Sequence, residues 1–283
     1  MLILLQGLSE DYTVIFCDAA SHYSVKTAAA AAGKPCIHFA HRSPEDLRRQ
    51  LANHLPPGRR PLVLSDGVFP ISGEIAPVAD YLEAIAAYDN AALCLDDAHA
   101  YGVLGENGRG VQEYFHLEKA PNIYSCGTLS KAFGGQGGII TGRQAFINRL
   151  KTRSDVYYAS SAVPNPSAAA TACAIDLAMH KPQLRRQLWQ NVALARHEFR
   201  SLGFHIADTP VPIIALHSRP DVNLEKTTDA LFHDRNKVVR YVAPDGYSGV
   251  PAGGAIRIAI FANHTQEQIL ALVEDVRELI DGG

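Results

Sequence analysis

The sequence predicts an α/β fold: a large domain on a mostly parallel sheet covered by helices, followed by a smaller C-terminal α/β domain. Three observations carry this. Short apolar runs of strand length alternate with helix-length segments through the first half of the chain. The strand runs, such as "TVIFCD" and "AALCLDD", are nearly continuous in apolar residues, as strands buried on both faces must be. After Pro164 the pattern changes to long helix and then to a second, shorter set of strands and helices.

In order, "TVIFCD" reads as a buried strand and "SVKTAAAAAG" as a helix stopped by Gly33. "PCIHF" is the next strand. In "SPEDLRRQLANHL", Ser43 suits an N-cap, Pro44 the first helical position, and Leu47, Leu51 and Leu55 share one face. "PLVLSDGVF" reads as strand, "PVADYLEAIAAYDN" as helix, "AALCLDD" as strand, and "NIYSC" and "GGIITG" as two further short runs. The segment from Pro166 is helical, interrupted near Pro182 and closed by Gly203. Beyond it come the strand "VPIIALH", the helix "LEKTTDALFHDR", the strands "KVVRYVAP" and "AIRIAIFA", and a last helix "TQEQILALVEDVRELI". Thr265 and Gln268 form a capping box at its start. The expected division is a large domain over 1–181 and a small one over 182–283.

The 283 residues, 47% hydrophobic and 19% charged, suffice for a sizeable core. A net charge of -3 without basic runs gives no electrostatic case for nucleic acid or an anionic membrane surface as partner. The five cysteines are scattered without CxxC spacing, so they read as reduced thiols in a reducing compartment, and no metal is expected. "MLILLQGLSEDY" has no basic n-region and too short an apolar run for a signal peptide or span, so a cytoplasmic protein is expected.

Two stretches carry chemistry. In "CLDDAHAYGVLG" a strand ends on Asp96, which delivers a carboxylate to the sheet edge where α/β ligands bind. A carboxylate there can hold a proton on a heteroaromatic nitrogen, the tuning that a pyridoxal phosphate ring needs, and His99 follows in the loop. Taken alone, "DDAH" reads slightly better as turn caps and a surface histidine. "SCGTLSKAFGG" then sets Lys131 beyond a short apolar run, among small residues and glycines. A Schiff-base lysine needs such a protected place, and Thr128 supplies a hydroxyl and an N–H of the kind that binds phosphate. A lone lysine beside glycines is otherwise a surface lysine, and "GGQGG" lacks the strand–helix context of a dinucleotide fingerprint.

Together "DDAHAYGVLGENGRG", "GTLSKAFGG" and "IRIAIFANHT" resemble the fold-type I pyridoxal phosphate enzymes, and among them the α-oxoamine synthases. The resemblance implies that Lys131 forms the internal aldimine, Asp96 pairs with the pyridinium nitrogen, His99 meets the phenolic oxygen and Thr128 contacts the phosphate. "DAASHYS" resembles the segment whose histidine stacks on the pyridine ring, which makes His22 that residue. Arg257, on the strand face opposite Ile256 and Ile258, matches the arginine that clamps the substrate carboxylate. "YYASSAVPNP", with Ser160 and Ser161, resembles the segment that reaches a neighbouring subunit's phosphate, so a homodimer is implied.

The implied reaction is acyl transfer from an acyl-CoA to an amino acid, giving an aminoketone, with Lys131 and His99 as catalytic residues. The alternatives are an aminotransferase on the same fold and a shortened, non-catalytic subunit. The chain departs from the family in three places. Members carry a further stretch ahead of the segment matching "LILLQGLSED", including a turn that gives N–H groups to the phosphate. Ser21 stands where asparagine is usual. Pro70 and Ser72 replace a serine and an aspartate, and Pro70 removes a hydroxyl and an N–H near the cofactor.

Overall fold

The protein is described by a computed structural model covering residues 1–217, 222–244, 250 and 253–281. The chain forms two compact units, Met1–Phe69 with Ile75–His180, and Pro70–Glu74 with Lys181–Gly283. In the first, the apolar runs become β1 (Val14–Asp18), β2 (Cys36–Phe39), β3 (Pro61–Asp66), β4 (Ala92–Asp96) and β5 (Ile123–Thr128). They lie in the order β2-β1-β3-β4-β5 with every neighbouring pair parallel. β6 (Gly138–Thr141) adds an antiparallel edge beside β5. The connection 129–137 is shorter than the roughly dozen residues that a parallel crossover requires.

Ile15, Phe16, Cys17, Leu62, Val63, Leu64, Leu93, Cys94 and Leu95 are fully buried, so the central strands are covered on both faces. The helices of this unit are α1 (Leu2–Gly7), α2 (Tyr23–Ala31), α3 (Pro44–His54), α4 (Val78–Ile85), α5 (Val111–Tyr114), α6 (Gln144–Arg153), α7 (Asp155–Ala159) and α8 (Asn165–His180). Local chemistry fixes several ends. The Ser43 hydroxyl accepts the Asp46 N–H at 3.1 Å, with Pro44 in the first turn of α3. Gly33, at φ 64°, takes the left-handed conformation that ends α2. The strand order reverses between β1 and β3, and open parallel sheets bind ligands outside the carboxyl ends of the strands at such a switch point.

The second unit is a three-stranded antiparallel sheet, β7 (Ile213–His217), β8 (Arg240–Val242) and β9 (Ala255–Ala259), in the order β7-β9-β8. With it go α9 (Pro182–Ser201), α10 (Leu224–His233) and α11 (Gln266–Asp281). Val192, Ala195 and Phe199 of α9 join Ile269, Val273 and Val276 of α11 and the strand residues Ile214, Leu216, Ile256 and Ile258 in one core. The capping box is reciprocal: the Thr265 N–H donates to Gln268 Oε1 at 3.0 Å and the Gln268 N–H to Thr265 Oγ1 at 3.2 Å. No helix among the described residues is long and apolar enough to cross a membrane.

Several elements are shorter than their sequence patterns, α4 and β8 by the most. α4 stops at Ile85 because a series of tight turns (Ala86 N–H to Glu83, Tyr88 N–H to Ile85, Ala91 N–H to Tyr88) leads into β4. Only Arg240–Val242 of "KVVRYVAP" pairs with β9. The Lys237 N–H is taken by the Leu231 carbonyl at the end of α10, and Val238 is left exposed. Residues 70–74, which fall within the first domain of the sequence reading, pack in the second unit. There the Thr209 hydroxyl donates to the Gly73 carbonyl at 3.1 Å. Gly73, at φ 68°, is so close that an added Cβ would lie 2.3 Å from the Ile213 carbonyl oxygen.

A buried cation organises this region. Arg196 donates to the carbonyls of Ala207, Val211 and Ile213 and to Thr209 Oγ1, with burial pushing its pKa down to about 10. Arg196→Met keeps the apolar stem but leaves these carbonyls without donors. It should lower the unfolding free energy by about 2–4 kcal/mol, read as a drop in the urea midpoint.

Candidate active site

Three neighbouring strands end in aspartate. Asp18 closes β1, Asp66 closes β3 and Asp96 closes β4, with Asp66 and Asp96 register partners on adjacent strands. Asp18 is fully buried and fully engaged. It accepts the Ala20 N–H at 2.8 Å, the Arg42 N–H at 2.9 Å and the Tyr81 hydroxyl at 3.1 Å, and pairs with His41 Nδ1 at 3.0 Å. Asp66 is buried and accepts the His22 N–H at 2.7 Å. Asp96 is partly open and accepts the Ala98 N–H at 3.0 Å, a turn that leads into His99.

His22 caps the start of α2. The Ser24 N–H donates to His22 Nδ1 at 3.2 Å and the Ser24 hydroxyl lies 2.6 Å from the same nitrogen. Nδ1 is thus the acceptor, which leaves the ring proton on Nε2. Burial lowers the pKa of His22, the nearby Asp96 carboxylate opposes this and the Lys131 ammonium reinforces it. The His22 imidazole therefore stands within the electrostatic reach of both residues singled out in the two chemical motifs.

Lys131 lies in the exposed segment after β5, with its Nζ 2.8 Å from His99 Nε2. The loop is closed by backbone bonds from Leu129 to Gly137 and from Gly135 to Leu129, and the Gln136 N–H donates to Thr171 of α8. Thr128 Oγ1 receives the Ser130 N–H at 3.2 Å and lies 2.8 Å from the Ser130 hydroxyl. On the other side of the site, β5 approaches the loop after β4 so closely that a Cβ on Gly127 would lie 2.7 Å from the Tyr101 ring. The Tyr101 hydroxyl reaches Thr141 Oγ1 at 2.9 Å, which ties the His99 loop to β6.

Asp96, His99, His22 and Lys131 are thus brought together at one edge, with Thr128 at the end of β5 beside the Lys131 loop. Ser160 and Ser161 are not brought to this group. Both are exposed, and the Ser160 hydroxyl turns back to the Val156 carbonyl. Arg257 belongs to the second unit, where its Nε donates to the Pro70 carbonyl at 2.6 Å. Among the described residues no carboxylate pairs with it, and burial together with Arg240 lowers its pKa. Asp66 is the residue that sequence reasoning missed. "PLVLSDG" ends an apolar run on an aspartate just as "ALCLDD" does, and that signal was available.

A cleft bordered by Leu8, Asp11, Arg60, Asn90, Asn122 and Tyr124 lies where β3, β4 and β5 begin. It is at the amino edge of the sheet, away from the acid–base groups, and strand-end ligand sites in parallel sheets lie at the other edge.

Asp97, next to Asp96, is fully buried. Its Oδ2 accepts the Val111 N–H at 3.3 Å while Oδ1 has no partner. Desolvation raises its pKa to about 7. The folded chain therefore keeps this proton at pH values where the unfolded chain, with a carboxyl pKa of about 4, has released it. The resulting contribution to stability is present at low pH and is lost as pH rises from about 4 to about 7. Asp97→Asn keeps the acceptor and removes the titration. The urea midpoint of this variant relative to the unmodified chain should rise between about pH 4 and pH 7 and level off above that, and a flat difference would contradict the assignment.

Comparison with known proteins identifies the family. The family model described as aminotransferase class I and II matches residues 2–276. An 8-amino-7-oxononanoate synthase of Chromohalobacter salexigens is 35% identical over 96% of this chain and 69% of its own length. One from Thermoanaerobacter pseudethanolicus is 31% identical over 96% of this chain and 67% of its own. The chain spans about two thirds of the length of the curated relatives it matches. A serine palmitoyltransferase from S. paucimobilis, with bound PLP–myriocin aldimine, superposes with a TM-score of 0.87 at 25% identity. That match covers 99% of this chain and 71% of that one. An 8-amino-7-oxononanoate synthase of Francisella tularensis shares the fold, with a TM-score of 0.78. The chain belongs to the aminotransferase class I and II family, in the branch of the 8-amino-7-oxononanoate synthases.

Proposed function

We propose that this chain carries the site of a pyridoxal-phosphate-dependent acyltransferase that joins an amino acid to the acyl group of an acyl-CoA, with release of free CoA and loss of CO2, to give an aminoketone. The observation that carries the reading is the 2.8 Å approach of Lys131 Nζ to His99 Nε2 beside Asp96, at the carboxyl edge of the parallel sheet. The donor set fits the cofactor. Lys131 is an accessible primary amine, Asp96 a carboxylate for a ring N–H, His99 a partner for a phenolic oxygen, His22 a flat imidazole face, and Thr128 a hydroxyl for phosphate. When bound, pyridoxal phosphate supplies an aldehyde that captures primary amines and a ring that delocalises charge from the substrate's Cα.

The residues of the chain do the rest. Asp96 holds a proton on the ring nitrogen and so favours loss of a proton at Cα. Lys131, once its amine is free and neutral, removes that proton as general base. His99 donates to the oxygen on which negative charge develops when the thioester carbon is attacked. Arg257 binds the α-carboxylate. Its Nε is engaged by Pro70 and its terminal nitrogens have no carboxylate partner among the described residues, which is the state a substrate anion would complete. His22 presents its ring to the cofactor plane. Ser160 and Ser161 serve the phosphate of a second copy in a homodimer. Support for that pairing comes from the exposed aromatic side chains Tyr157 (45%) and Tyr158 (89%) just before them in sequence. Free, buried Cys17, Cys94 and Cys126 support a reducing, cytoplasmic setting.

Incubation with pyridoxal phosphate, borohydride reduction and peptide mapping test the reading. A pyridoxyl adduct confined to Lys131 is expected, and label spread over surface lysines would sink it. Glycine, alanine or serine with acyl-CoA should then yield an aminoketone, with Lys131→Ala slower by about 10²–10⁴-fold. Interconversion of keto acid and amino acid without CoA release would indicate an aminotransferase instead. Arg257→Lys keeps the charge but not the fork, and should raise KM for the amino acid about 10- to 100-fold with a smaller change in kcat.

A further inference from the structure

We propose that Asp66 is a positioning residue of this site: from the end of β3 its carboxyl group holds the backbone N–H of His22 and thereby fixes where the imidazole stands. The consequence for catalysis rests on the reading of His22 as the face against which the cofactor lies.

The geometry is specific. The loop from β1 to α2 must turn from the sheet edge into a helix within Ala19–His22, and two buried carboxylates take its N–H groups in succession. Asp18 Oδ1 receives Ala20 at 2.8 Å, the Asp18 carbonyl receives Ser21 at 3.0 Å, and Asp66 Oδ2 receives His22 at 2.7 Å. The last bond crosses from β1 to the neighbouring strand at the point where the strand order reverses. Backbone and ring are thus held separately. Asp66 fixes the main chain of His22, and Ser24 fixes the imidazole through Nδ1. With both in place the ring has one orientation relative to Asp96 and Lys131.

The role needs an acceptor and not a charge. Burial and the facing Asp96, with Asp18 adding to both, raise the Asp66 carboxyl well above its usual range, against the His22 N–H and Lys131. A neutral carboxylic acid still offers a carbonyl oxygen to that N–H, and so does an asparagine.

The test compares Asp66→Ala, Asp66→Ser and Asp66→Asn in the full chain without cofactor, by amide hydrogen exchange over residues 19–25. Loss of the hydrogen bond should speed exchange there about tenfold in the alanine and serine variants. The asparagine variant should stay near the unmodified chain. Serine is too short to reach the N–H, so it carries the expectation even if the alanine variant folds poorly. Unchanged exchange in Asp66→Ala and Asp66→Ser would overturn the proposal, as would equal loss in all three variants or an equal rise across β3 and β4. A second arm measures the dissociation constant of pyridoxal phosphate in a cycle with His22→Ala. Weaker binding in Asp66→Ala that disappears in the His22→Ala background supports action through His22, whereas an effect that persists there overturns it. If the unmodified chain binds no pyridoxal phosphate, the cofactor reading fails by itself and the exchange arm still decides the role of Asp66.

Discussion

The carboxyl edge of the parallel sheet must accommodate Asp18, Asp66 and Asp96 at the ends of three neighbouring strands. Like charges that close in a partly desolvated place repel strongly, and each of the three meets this constraint differently. Asp18 is satisfied by two backbone N–H groups, a tyrosine hydroxyl and a histidine. Asp66 is pushed toward its neutral form and keeps one backbone N–H. Asp96 stays partly open to solvent and bonds the next turn. The loops that leave these strands are shaped by the same bonds, so the arrangement that settles the charge also aims His22 and His99.

The site is rigid on one side and exposed on the other. The loop after β4 is held by buried Asp97, by Tyr101 packed against Gly127, and by the Tyr101–Thr141 hydroxyl contact. The Lys131 segment is closed by its own backbone bonds and braced by Thr171, yet Lys131 itself stays exposed. Under the proposed function, a lysine that exchanges partners during the reaction would benefit from such freedom, and the acid and imidazole beside it from being fixed.

In the second unit a different cation economy operates. Arg196 spends its donors on carbonyls of the 207–213 segment, which in turn holds Gly73 through Thr209. Arg257 gives one donor to Pro70 and has no carboxylate partner among the described residues. Pro70 lacks the N–H and hydroxyl that a serine would bring, but its carbonyl orients a guanidinium. Arg196 is thus a structural cation, whereas the terminal nitrogens of Arg257 meet no carboxylate among the described residues.

The sequence by itself determined the elements whose signals are local. Continuous apolar runs, the Ser43 and Thr265 caps, Gly33 as a helix stop, and Asp96, His99 and Lys131 at their element ends all depend on residues within a few positions of one another. Only the tertiary structure decided what depends on pairing distant segments. The β2-β1-β3 order sets Asp66 beside the His22 amide, 44 residues away in sequence. Folding also carries residues 70–74 into the second unit against Arg257 and Thr209. It shortens "KVVRYVAP" to three paired residues, because the Leu231 carbonyl takes the Lys237 N–H first. A hydrogen bond between a strand end and a distant backbone N–H leaves no periodicity to read. It exists only once the sheet has chosen its order.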